Sequence, residues 1–177
     1  TLGIVGMGQI GKEVAKRARG FEMNVLAYDP YPDHEFAREY KVQFTNLETL
    51  FSESDFVSLH LPSLPETKNM ITGELLSRMK PTAYLINTAR GDIVNERDLI
   101  QILQEGRIAG AALDVLEHEP PGPNPLIHME NVIITPHIGA HTYEANHAIG
   151  MIVAQNVIKV LKGDKSEHTV NREVYKL

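Results

Sequence analysis

The stretch Gly6-Met7-Gly8-Gln9-Ile10-Gly11 decides how this sequence folds. It follows directly on the apolar run of residues 2–5 and opens a helical stretch over 9–19 that Gly20 ends. Strand, glycine turn and helix in that order make a phosphate-binding unit. Gly6 permits the tight turn, Gly8 lets a pyrophosphate approach the backbone, and Gly11 lets the helix pack closely on the strand. The helix N-terminus then presents unpaired N–H groups and the positive end of its dipole to the phosphates. A nucleoside-triphosphate loop would share Gly6, Gly11 and Lys12, but it needs Ser or Thr next to hold magnesium. Glu13 stands there instead, and that reading also leaves Gly8 unexplained.

Working outward, a second apolar run over 24–28 ends at Asp29. An acid at that place accepts hydrogen bonds from adenosine ribose hydroxyls and repels a 2′-phosphate, so the expected cofactor is NAD rather than NADP. Further short apolar runs fall at 42–44, 56–59, 82–87, 108–113 and 132–135, with helical stretches at 35–40 and 47–52. The runs around Leu2, Leu85 and Ile133 do not alternate with polar residues, which suits strands buried on both faces of a parallel sheet. The expected fold is therefore α/β, a Rossmann-type doubly wound parallel sheet with helices on both faces. A long helix from near Thr142 carries Ala145, Ala148, Ile149, Ile152, Val153, Val157, Val160 and Leu161 at helical spacing. Residues 1–162 read as one nucleotide-binding domain and 163–177 as a polar C-terminal tail.

Composition sets the outer limits. The 177 residues suffice for one domain with a sizeable core. A formal net charge of -6 argues against a nucleic-acid partner bound through phosphates. There is no cysteine, which removes disulfides, thiolate metal sites and a cysteine nucleophile, and suits a cytoplasmic enzyme. No apolar run approaches membrane-spanning length. Five of the eight histidines (His118, His128, His137, His141 and His147) lie between residues 118 and 147 without the HExxH spacing of a metal site, and no metal is expected.

Ligands of open α/β sheets sit beyond the carboxyl ends of the strands. The residues found there are the glycine turn, Asp29, His60-Leu61-Pro62, Thr88-Ala89-Arg90-Gly91, Asp114 with Glu117 and Glu119 close behind, and Pro136-His137-Ile138-Gly139. An arginine, carboxylates and a histidine thus collect on one edge. Hydride transfer between NAD and a 2-hydroxy acid needs such a set. A histidine exchanges a proton with the substrate oxygen, a carboxylate orients the histidine, and an arginine clamps the substrate carboxylate and polarises its carbonyl. Taken one at a time, each residue also has a plain reading as a surface charge or a structural side chain.

Longer matches carry a resemblance. The stretches are residues 1–11; His60-Leu61-Pro62 with Pro65-Glu66-Thr67; Asn87-Thr88-Ala89-Arg90-Gly91; Gly110 to Val115 with Glu119-Pro120; and Asn131-Val132-Ile133 with Thr135 to Ala140. In this order they resemble the NAD-binding domain of the D-isomer-specific 2-hydroxyacid dehydrogenases. The resemblance implies Arg90 as substrate clamp, His137 as acid/base and Glu119, the acid next to Pro120, as its partner. It implies cofactor contacts at Gly6, Gly8, Gln9, Ile10, Gly11, Asp29, Leu61, Thr88, Arg90, Asp114, His137 and Gly139. It implies an NAD-dependent oxidoreductase acting on a D-2-hydroxy or 2-keto acid, and a homodimer joined through this domain. Thr142 with Glu144-Ala145 and the Gly139-Ala140 pair lean toward phosphoglycerate dehydrogenases. An NAD-sensing corepressor on the same fold is the alternative. In the family a substrate domain is built largely from an N-terminal segment, to which the tail 163–177 would return. The 177 residues alone are therefore expected to bind NADH and to turn over little.

Overall fold

A computed structural model describes residues 1–176. The chain divides into two compact units, Thr1–His137 and Ile138–Leu177. The first unit holds one seven-stranded sheet in the order β3-β2-β1-β4-β5-β6-β7, every neighbouring pair parallel. Its strands are β1 (Leu2–Val5), β2 (Val25–Tyr28), β3 (Val42–Phe44), β4 (Phe56–Leu59), β5 (Tyr84–Asn87), β6 (Gly110–Leu113) and β7 (Val132–Ile134). The order turns back between β1 and β4, and that reversal opens a crevice at the carboxyl ends of the strands.

The helices follow from caps and apolar spacing. Helix α1 (Gln9–Gly20) starts at Gly8 and buries Gly11, Ala15 and Ala18 on one stripe. Asp33, Asn46, Thr72 and Asn95 each accept a backbone N–H at the start of α2 (His34–Tyr40), α3 (Leu47–Glu53), α4 (Gly73–Leu76) and α5 (Glu96–Gln104). Sequence periodicity marks no helix between β5 and β6, yet α5 is there and buries Leu99, Ile102 and Leu103. A parallel pair needs such a crossover.

The register separates two cores. One face of the sheet carries Leu2, Ile4, Val25, Ala27 and Val42, which pack with Ala15, Ala18, Phe36 and Ala37 from α1 and α2. The other carries Val5, Leu26, Val57, Leu59, Leu85, Ala111 and Leu113, which pack with α3, α4 and α5 through Leu50, Phe51, Leu76, Leu99 and Ile102. The first face is covered only over β1–β3 within this unit. Across β4, β5 and β7 it shows Phe56, Tyr84 and Ile133 to solvent, the last 70% exposed.

In the second unit α6 (Tyr143–Leu161) is capped by Thr142, and none of its residues is buried. The segment after it folds onto itself. Tyr175 Oη accepts from Ser166 N at 3.1 Å, and Ser166 Oγ bonds Asn156 on the helix at 3.0 Å. By its contacts α6 forms one compact unit with the segment that follows it.

Candidate active site

At the start of the sheet the site is built from backbone. Gly6 has φ of +97°, and a Cβ there would lie 2.6 Å from the His60 carbonyl oxygen. A Cβ on Gly11 would lie 2.1 Å from the carbonyl oxygen of Gly6. Around Gly8 there is open space on the side a Cβ would take, at the N-cap of α1. A positive φ, open space and close backbone packing thus fall on three different glycines. Asp29 completes the turn: its carboxylate accepts from Met7 N at 2.7 Å and from Tyr31 N at 2.8 Å. Each carboxylate oxygen retains accepting capacity for a ribose hydroxyl. Leu61 is buried beneath Gly6, while Gln9 and Ile10 are exposed on the first turn of α1. Lys12 is paired with Asp33 at 2.5 Å. An open backbone at a helix N-terminus, flanked by an acid at the end of β2, fits a dinucleotide.

At the other side of the sheet the site is built from side chains on registered strand ends. Asp114 N donates to Asn87 O at 2.9 Å, Thr135 N to Leu113 O at 3.0 Å, and His137 N to Asp114 O at 2.9 Å. These bonds fix the carboxyl ends of β5, β6 and β7 relative to one another, and Arg90, Glu119 and His137 follow those ends in the chain. Asn87, buried, shapes the arginine turn: its amide donates to Arg90 O at 2.9 Å and accepts from Ala89 N at 3.0 Å. Arg90 is exposed and donates from one guanidinium nitrogen to Ala89 O at 2.6 Å. Asp114 is buried and accepts from the Thr135 hydroxyl at 2.5 Å.

His137 Nδ1 lies 2.7 Å from Glu119 Oε2, and Glu119 Oε1 accepts from Leu116 N at 3.1 Å. The hydrogen bond with His137 is the main reason the Glu119 carboxyl sits below the ordinary glutamate range, and the Leu116 N–H adds to it. His137 itself has a left-handed backbone, φ +54°. Two clefts share Glu119 and His137 in their walls. A polar one of about 490 Å³ contains Arg90, Lys68 and His118, and a larger apolar one of about 600 Å³ contains Ile127, Val132, Ile134 and Pro121.

The structure brings together most of the residues singled out in the sequence. Of the two carboxylates left open by site chemistry, Glu119 is the one bonded to His137; Glu117 is exposed on the polar cleft. Thr88 is exposed at the end of β5. Gly139 belongs to the second unit, in the turn before α6 where His141 N donates to Ile138 O at 2.9 Å. His60 turns inward: it bonds Ser58 Oγ at 2.9 Å, and burial pushes its imidazole below the ordinary histidine range. Sequence reading missed the side-chain roles of Asn87 and Thr135 and the close fit of Gly91, where a Cβ would meet the Leu116 carbonyl at 2.0 Å. Asn87 and Gly91 bracket the quoted arginine stretch, but their tasks depend on contacts with the neighbouring strand.

Comparison with known proteins now decides the family. The model of the D-isomer specific 2-hydroxyacid dehydrogenase NAD binding domain matches residues 1–139. The chain belongs to this family. A glyoxylate reductase of Korarchaeum cryptofilum is 48% identical over 100% of this chain and 54% of its own length. A D-3-phosphoglycerate dehydrogenase of Methanocaldococcus jannaschii is 46% identical over 97% of this chain and 33% of its own. Among solved structures, the NAD complex of a D-isomer specific 2-hydroxyacid dehydrogenase from Lactobacillus delbrueckii ssp. bulgaricus superposes with a TM-score of 0.86. It is 37% identical over 96% of this chain and 56% of that one. The D-lactate dehydrogenase of Escherichia coli gives 0.88 at 34% identity, over 96% of this chain and 53% of that one. The chain thus spans between a third and a little over half of these relatives. It is an NAD-binding domain of Rossmann type. Among the described residues no helix is long and apolar enough to cross a membrane.

Proposed function

We propose that this domain serves an NAD-dependent oxidoreductase that interconverts a D-2-hydroxy acid and its 2-keto acid, with Arg90, Glu119 and His137 as the catalytic set. The observation that carries the reading is the 2.7 Å contact of His137 Nδ1 with Glu119 Oε2 on the wall of the cleft that also contains Arg90. Gly6, Gly8, Gly11 and the first turn of α1 would hold the pyrophosphate, and Asp29 the adenosine ribose. When bound, the nicotinamide supplies or accepts the hydride. Glu119 keeps the Nδ1 proton engaged, so Nε2 is the nitrogen that gives a proton to the substrate oxygen in reduction and takes it in oxidation. Arg90 offers a planar fork to the substrate carboxylate and a positive charge beside the carbonyl where negative charge develops. Asp114 and Thr135 steady the strand ends between them.

The substrate class is a short 2-hydroxy or 2-keto acid, 3-phosphoglycerate included, since relatives are named for phosphoglycerate and glyoxylate. The relatives named above are enzymes, which favours this reading over an NAD-sensing binding protein. A homodimer joined through this domain goes with it. The bare apolar side chains Tyr84 and Ile133 on the sheet, and Val157 and Leu161 on α6, support an interface. Light scattering tests the dimer, and cell fractionation tests a cytoplasmic location. The deciding experiment assays 2-keto acids with NADH on this domain in a full-length enzyme. Arg90→Lys is expected to lower kcat/KM by roughly a hundredfold, since an ammonium cannot form the fork. Unchanged kcat/KM would remove Arg90 from the set.

A further inference from the structure

Glu96 stands outside every motif quoted above. It is the first residue of α5, in the crossover between β5 and β6, and its half-buried carboxylate accepts hydrogen bonds at both oxygens. Oε2 accepts from Glu117 N at 3.0 Å, and Oε1 accepts from Asn124 Nδ2 at 2.8 Å. Glu117 and Asn124 flank Glu119 on either side, so one carboxylate ties down both ends of the loop that carries it. Each partner is itself fixed. The Leu116 carbonyl next to Glu117 N is pressed on Gly91, and Asn124 also accepts from Leu126 N at 3.0 Å, where Leu126 is buried in the core.

We infer that Glu96 is a positioning residue for the Glu119–His137 pair: it holds the 117–124 loop so that the Glu119 carboxylate stays on His137 Nδ1. The inference rests on the proposed role of that pair. The physical case is one of entropy and orientation. Glu119 is exposed and sits in a loop rich in proline, bonded to Leu116 N and His137 among the described residues. A charge-assisted bond to a backbone N–H is roughly twice as strong as a neutral one and is directional. Glu96 supplies that from a helix N-terminus, where a carboxylate is itself favoured. The arginine turn presses on the same loop through Gly91, so Arg90 and Glu119 are set against one another from a shared base.

Carbon-13 NMR titration of the Glu119 carboxyl, read beside the melting temperature, separates positioning from simple charge. Removing a neighbouring negative charge lowers a carboxyl pKa; losing the His137 contact raises it. Asp92, Asp114, Glu117, Arg90, His118, Lys68 and His137 line the cleft around the carboxyl or act on it, and Glu96→Ala removes none of these groups. The expected result is that Glu96→Ala raises the Glu119 pKa by about half a unit or more toward the ordinary glutamate value, against the sign of the charge removed. Asn124→Ala, which removes one tie and no charge, is expected to raise it less, and decides the matter if Glu96→Ala melts early. His137→Gln serves as the reference because it removes the main cause of the depression. A rise in His137→Gln with no rise in either loop variant overturns the positioning role and leaves the pair intact. No rise in His137→Gln overturns the pair, and the positioning role with it.

Discussion

The two ends of the sheet solve the same problem, holding a group in place, with different materials. At β1 the glycine turn is shaped mostly by main chain against main chain, Gly6 on His60 and Gly11 on Gly6, with the Asp29 carboxylate tying Met7 N. At β5 to β7 the strand ends are registered by backbone bonds, but the groups proposed for the chemistry are the exposed side chains of Arg90, Glu119 and His137. In the first region shape and binding are one property, so a substitution that alters one alters both. In the second they are separate, and chemistry can be removed while the scaffold stands. That difference can be attacked from both sides.

The largest effect is expected on the side-chain end. His137→Gln should cut turnover of the full-length enzyme by about 10²–10⁴-fold, the usual share of a general acid–base, with NADH affinity and melting temperature nearly unchanged. A parallel fall in NADH affinity would erase the contrast. Next comes the backbone end. Gly11→Ala places a Cβ against a carbonyl that cannot yield, and should destabilise by about 3 kcal/mol and lose NADH binding together. Gly8→Ala sharpens the point: with open space at the site its stability cost should stay within about 1 kcal/mol, yet NADH titration should show weaker binding because the pyrophosphate needs that space. Equal melting temperatures for the two variants would show that the close packing at Gly11 is not what it looks like.

Glu119→Gln should reduce turnover by roughly 10- to 100-fold, the range for a hydrogen bond to a charged group. Its sign with pH follows from the depressed carboxyl. The Glu119 carboxylate persists as pH falls through the ordinary glutamate range and is lost only below it, through its own lowered pKa. The ratio of wild-type to variant turnover is therefore expected to be constant at neutral pH and to close only below the ordinary range. Closure at or above that range would deny the contact with His137. The smallest effect belongs to Asp29→Asn, which keeps an acceptor for Met7 N but removes the charge. The preference for NADH over NADPH should narrow by tenfold or more, about 1.4 kcal/mol. Equal affinities in the wild type would sink the assignment.

How much of this is legible in the sequence differs between the same two ends. Gly6, Gly8, Gly11 and Asp29 are readable because each task is local: a φ value, an open approach, a close contact, an acid at a strand end. His137 and Glu119 are legible only as residue types at strand ends until the family resemblance singles them out from Glu117. Asn87 and Glu96 are not legible, since their partners come from neighbouring turns and from a loop beyond the next strand. Helix α5 is hard to see in the sequence although Asn95 caps it and Leu99, Ile102 and Leu103 fall at helical spacing. Its acidic, polar first turn hides a short stripe. The long helix α6 teaches the reverse lesson. Its spacing was plain, but periodicity reveals that a face is apolar and never what covers it, and here no residue of α6 is buried.

His137 is held with φ of +54°, a backbone setting that glycine takes freely and that asparagine and histidine take more readily than most residues. For a side chain with a Cβ, the setting costs about 1 kcal/mol or more. Selection for thermal endurance alone would therefore drift toward glycine at position 137, and on the proposed acid–base role selection for turnover is what would keep the imidazole. The position works as a tell-tale in evolution. A descendant released from catalysis could exchange this one residue, gain a firmer fold and keep its cofactor. The exchange would then mark a retired enzyme that still senses the nucleotide it once used.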